Sequence, residues 1–129
     1  MKRLFLMVVL TALTSCTQST VAPVTHVVVC WLRQPGDETA RDRLIEASYG
    51  FRSIPGVISV SAGRAIPSTR PVVDASFDVA VVMQFRSEEA LRAYEQHPIH
   101  KKAVSDVLQP LTARTLVYDI ANARPPSQH

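Results

Sequence analysis

The segment Thr25–Arg33 (Thr-His-Val-Val-Val-Cys-Trp-Leu-Arg) is apolar on both sides of an extended chain, and it constrains the fold more than any other stretch. Its β-branched and aromatic content predicts a strand. Alternation puts His26, Val28, Cys30 and Leu32 on one face and Val27, Val29 and Trp31 on the other. A strand of this kind needs cover on both sides. The chain has 129 residues, enough for one domain with a single modest core.

The segments that follow supply cover for one side. After the turn Gln34-Pro35-Gly36, Asp37 is a suitable N-cap for a helix reaching about Arg52, with Ala40, Leu44, Ala47 and Phe51 along one stripe. Ile54-Pro55-Gly56 ends it. Val57–Ala65 alternates and predicts a second strand; Ile66–Ser76, with Pro67 and Pro71, predicts a loop. Phe77–Phe85 predicts a central third strand. Ser87 with Glu88 and Glu89 opens a second helix running to His97; Pro98 interrupts it, Ile99–Leu108 resumes it and Pro110 ends it. Thr112–Ile120 predicts the last strand, and residues 121–129, with Pro125-Pro126, a frayed tail.

The order β-α-β-β-α-β predicts an α+β, ferredoxin-like fold over residues 25–120, a four-stranded antiparallel sheet with both helices on one face. The other face is left bare. A large apolar face on a small domain marks an interface, so a symmetric homodimer with the two sheets packed together is expected.

The N-terminus decides location. Lys2 and Arg3 precede the apolar run Leu4–Leu13, which is half the roughly 20 residues a membrane-spanning helix needs. This is the pattern of an export signal, residues 1–15. Leu13-Thr14-Ser15-Cys16 resembles the lipobox of bacterial lipoproteins, which implies acylation of Cys16 and anchorage in the lipid bilayer. Residues 16–24 then form a tether, and the resemblance implies, through the sorting habits of such lipoproteins, that Thr17 directs the chain to the outer membrane, with the domain in the periplasm of the bacterial envelope. Acylation leaves Cys30 as the only thiol, so no internal disulfide is expected.

Charge adds little once the export signal is recognised. The formal charge of +3 loses Lys2 and Arg3 on cleavage, leaving 12 basic residues against 11 acidic ones. The remaining basic residues are scattered, so nucleic-acid binding is excluded. The four glycines match no phosphate-binding loop. Neither a metal nor a cofactor is expected: His97 and His100 have ligand spacing, but no acidic residue on their helix completes a set, and Asp74 and Asp78 could join only through tertiary packing.

Four pieces recur in order: His26-Val27-Val28-Val29, Ile54-Pro55-Gly56-Val57, Phe77-Asp78-Val79-Ala80, and Phe85-x-Ser87-x-x-Ala90-Leu91-x-x-Tyr94-x-x-His97-Pro98-x-His100. Together they resemble the stress-responsive dimeric α/β-barrel (Dabb) family. The resemblance implies a ferredoxin-like monomer pairing into a dimeric α/β barrel. In a few plant relatives that are polyketide cyclases, a tyrosine and the last histidine of the motif act on substrate; the matching positions are Tyr94 and His100, and the strand-one histidine is His26. The cyclases also carry a histidine on strand three, where Val79 stands in this chain. Two functions are therefore carried forward. One is a small-molecule-binding or structural module for an apolar or aromatic ligand, its pocket formed by His26, Cys30 and His97. The other is a small enzyme acting on a carbonyl or aromatic metabolite, polyketide-cyclase-like or oxygenase-like, with His100 as base and Tyr94 as orienting donor. His97-Pro98 also reads as a helix-end device and Cys30 as a buried apolar residue.

Overall fold

The computed structural model describes residues 22–123. The export signal, Cys16 and residues 124–129 of the tail lie outside the described residues. The chain runs β1 (Val24–Leu32), α1 (Glu38–Gly50) with a 3-10 turn Phe51–Ser53, β2 (Val57–Gly63), β3 (Val79–Phe85), α2 (Glu88–Gln96), α3 (Pro98–Ala103) and β4 (Thr112–Ala121). A π-helical stretch, Val104–Leu108, and one helical turn, Gln109–Leu111, carry α3 into β4.

The four strands form one antiparallel sheet in the order β2-β3-β1-β4, with the helices packed on one face. This is the ferredoxin-like plan expected from the element order. β1 is central and pairs along its length with β3 and β4, so its helix-side residues Val24, Cys30 and Leu32 are buried with Val79, Met83 and Phe85 of β3. α1 begins where Asp37 accepts the Ala40 N–H at 3.0 Å and buries Ala40, Leu44 and Ser48. Ser48 tolerates burial because its hydroxyl donates to the Leu44 carbonyl at 2.8 Å. α2 begins the same way at Ser87, which accepts the Ala90 N–H at 3.1 Å, and buries Leu91 and Tyr94.

Several boundaries move by one or two residues. β3 starts at Val79 and not Phe77, because Asp78 is a junction: its carboxylate accepts the N–H groups of Leu32 at 2.8 Å and Gly36 at 3.1 Å, while its own N–H donates to Cys30 O at 2.9 Å. β2 ends at Gly63, two residues early. β4 includes Ala121, paired with Val24 and followed by Asn122, whose N–H donates to Pro23 O at 3.1 Å. The second helical region changes character near Pro110. Proline has no N–H to give and crowds the carbonyl four residues back, and the preceding ladder slips by one residue, so that Gln109 N–H donates to Val104 O.

The face away from the helices carries Val27, Val29 and Trp31 of β1, Ala80 and Val82 of β3, and Leu116, Tyr118 and Ile120 of β4, aligned by the strand register. Val82, Tyr118 and Ile120 are each about half exposed in the single chain. Arg114 stacks over Trp31, 4.3 Å from the ring centre.

Candidate functional site

Sheet and helices do not close on each other completely. A cavity of about 250 Å³ lies between them. β1 contributes His26, Val28 and Cys30 to its floor, β3 contributes Val81 and Met83, and β4 contributes Thr115 and Val117. Its roof is Leu44 and Ala47 of α1, Phe51, Tyr94 of α2, His100 of α3, and the π-helical residues Val104 and Val107. The π turn thus places valines on the roof. The walls are chiefly apolar, and no lysine or arginine lines them.

The polar groups are few and individually held. His100 donates from Nδ1 to the Glu95 carbonyl at 3.1 Å; a carbonyl only accepts, so the proton sits on Nδ1 and Nε2 keeps its lone pair. Burial, the largest influence, holds the His100 pKa below the ordinary histidine value; the Glu95 carbonyl opposes it and the neighbouring His26 adds to it. Tyr94 packs against His100 with ring centres 4.4 Å apart, and burial pushes its pKa well up, so it remains a phenol. Its hydroxyl has no hydrogen-bond partner among the described residues. His26, buried in the floor, meets Asp119 of β4: Nδ1 lies 2.5 Å from the carboxylate, which fixes the ring plane. Phe51 and Phe85 complete a cluster of five rings with these three, Phe51–Tyr94 at 5.4 Å and Phe85–Tyr94 at 4.9 Å.

The structure brings His26, Tyr94, His100 and Cys30 to one cavity and leaves His97 out of it. His97 ends α2 and starts α3, with extended backbone (φ −69°, ψ 137°), and its Nδ1 accepts the Ile99 N–H at 3.2 Å. Its imidazole caps the start of the second helix while its backbone N–H closes the first on Tyr94 O, and it is not among the residues that line the cavity. The break at His97-Pro98 also explains how Tyr94 and His100, six positions apart, come together: they belong to two helices meeting at an angle. Cys30 lies in the floor with its thiol pKa pushed up to about 11, burial outweighing a hydrogen bond with Thr115. It is a protonated, apolar wall element.

Asp119, Thr115 and Val117 were not singled out in the sequence. Their alternation along β4 was visible, but which partner each faces depends on a register that the sequence does not print. Asp78, considered for a metal, is committed to two backbone N–H groups. No cluster of three metal-ligating side chains occurs among the described residues. No helix among them is long and apolar enough to cross a membrane.

Comparisons with known proteins agree with this architecture. Residues 24–122 match the model of the stress responsive A/B barrel domain. Among solved structures, a Dabb family protein with a ferredoxin-like fold from Mesorhizobium loti is 23% identical with a TM-score of 0.65, over 80% of this chain and 99% of that one. A dimeric ferredoxin-like protein of unknown function from Thermobifida fusca is 21% identical with a TM-score of 0.65, over 79% and 92%. A dimeric protein of unknown function and ferredoxin-like fold from Bacteroides fragilis is 20% identical with a TM-score of 0.61, over 78% and 96%. No curated protein matches the chain.

Proposed function

The chain belongs to the stress-responsive A/B barrel domain family, and from that premise we propose that it is a lipid-anchored homodimer that binds a small apolar or aromatic molecule between its sheet and its helices. The cavity carries this reading. A void of about 150 Å³ in an apolar core already admits benzene, and this one is about 250 Å³ with apolar walls. It has room for one substituted ring. The apolar sheet face and the dimeric relatives support the homodimer. The lipobox-like Leu13-Thr14-Ser15-Cys16 supports acylation at Cys16 and attachment to the envelope, at the outer membrane and facing the periplasm.

Binding is tested with 4-fluoroanisole, followed by fluorine NMR. Saturable binding to the wild type, lost in Ala103→Phe, which fills the cavity from α3, is the expected result. Binding that persists in the filled variant places the probe elsewhere and overturns the reading. The anchor is tested by labelled palmitate: wild type takes up label and sediments with membranes, whereas Cys16→Ser does neither.

The free Nε2 of His100, on a ring 4.4 Å from that of Tyr94, favours a second reading, a small enzyme acting on a carbonyl or aromatic metabolite. A neutral imidazole can take a proton from carbon next to a carbonyl while a phenol donates to the oxygen. Such an enzyme exchanges the methyl hydrogens of acetophenone in deuterated water, and His100→Ala abolishes the exchange without shifting Tm. Exchange no faster than in buffer leaves the binding reading alone.

A further inference from the structure

The hydrogen-bonding inventory of the cavity says more than that it is apolar. Building on the binding reading, we propose that the cavity selects neutral phenols, whose hydroxyl donates to His100 Nε2, over aromatic carboxylates and over ring ligands that have no donor.

His100 supplies the acceptor. Its Nδ1–H is committed to the Glu95 carbonyl, and the only polar atom left on the ring is a lone pair. A ligand seated against that lone pair strips it of water, so one that brings a donor is favoured over one of equal size that does not.

Tyr94, which lines the cavity, supplies a hydroxyl without a protein partner among the described residues. A hydroxyl can donate and accept, so it can satisfy the oxygen of the same ligand hydroxyl that donates to His100. A phenol offers one donor and one acceptor on a single atom. An ether offers only the acceptor and leaves His100 unmet.

Charge supplies the exclusion. The lining contains Glu95 and neither lysine nor arginine. His26 does not change the balance: with Asp119 against its Nδ1, the pair carries a net charge of zero or minus one wherever the proton rests. A carboxylate entering here would lose water with no net cation to receive it, and the lone pair of His100 would repel it.

The test uses three probes of similar size, 4-fluorophenol, 4-fluoroanisole and 4-fluorobenzoate, titrated into the full chain and followed by fluorine NMR. 4-Fluorophenol should bind about tenfold more tightly than 4-fluoroanisole, the worth of about one hydrogen bond, and 4-fluorobenzoate should not bind measurably. In His100→Phe the preference for phenol over anisole should collapse to under about threefold, read as the ratio of the two affinities in the same variant. Equal affinities for phenol and anisole in the wild type, or a tighter benzoate, overturn the selectivity and leave the binding reading standing. Failure of all three probes overturns both. Nitrogen-15 spectra of the wild-type imidazoles read the premise directly: His100 must appear as the Nδ1–H tautomer, and an Nε2–H form overturns the proposal even if His100→Phe does not fold.

Discussion

Gly56 carries two requirements at once. Its φ of +89° lies where residues with a Cβ are strained, and a Cβ there would come 2.7 Å from the Cβ of Ala90 on α2. The close contact cannot be relieved by side-chain rotation, since the Cβ of Ala90 is fixed by its own backbone. Gly56→Ala should therefore destabilise the domain by about 2 kcal/mol or more, read as a lowered urea midpoint at unchanged slope. His100 makes a prediction in pH. Folding lowers its pKa below the ordinary value of about 6.5, so in mildly acidic solution the unfolded chain binds the proton first. Stability is then highest above that pH and falls as the pH drops toward the folded value. Unfolding curves at pH 7.5 and 5 should show this loss, and His100→Phe should reduce it; an unchanged pH dependence in the variant would assign the effect to another group. Residue identities at this scale were readable from the chain. Tyr94, His26 and His100 stood out as chemistry-bearing side chains, whereas Asp119 did not, because a single aspartate in an alternating strand has no signal until its cross-strand partner is known.

The elements were legible to within about two residues, and two of the departures trace to single residues. Asp78 holds the ends of β1 and β3 together, and Pro110 displaces the ladder before it. Neither effect is written in propensity. The same holds for His97, where the sequence showed a histidine before a proline but not which helix it serves. As the N-cap of α3, it should be worth about 1 kcal/mol. His97→Ala should lose that stability and His97→Asn should keep most of it, with the affinity for 4-fluoroanisole unchanged in both. A large loss of probe binding in His97→Ala at full stability would return this residue to the pocket. The two outer strands also differ. Over β2, the Tyr49 hydroxyl donates to Ala62 O at 3.3 Å and accepts Ala62 N–H at 3.4 Å, while Arg52 donates to Val60 O at 3.3 Å. α1 and the turn after it thus occupy part of the outward hydrogen-bonding groups of one edge.

At the scale of the molecule, the two-sided apolar β1 is the fact around which the rest is arranged. One side is met by helices, and the cavity forms where that cover is incomplete. The other side presents aligned apolar residues of three strands. A charge at its centre should separate two copies: Val27→Asp should sediment as a monomer at micromolar concentration where the wild type sediments as a dimer, with far-ultraviolet circular dichroism unchanged. A wild type that is monomeric across this range removes the homodimer. The occupied edge of β2 bears on how far such association can go. Strand addition of β4 from one copy onto β2 of the next would repeat without end and build a fibre. Tyr49 and Arg52 already hold three of the groups such a joint would use, so edge-to-edge growth in that direction is disfavoured.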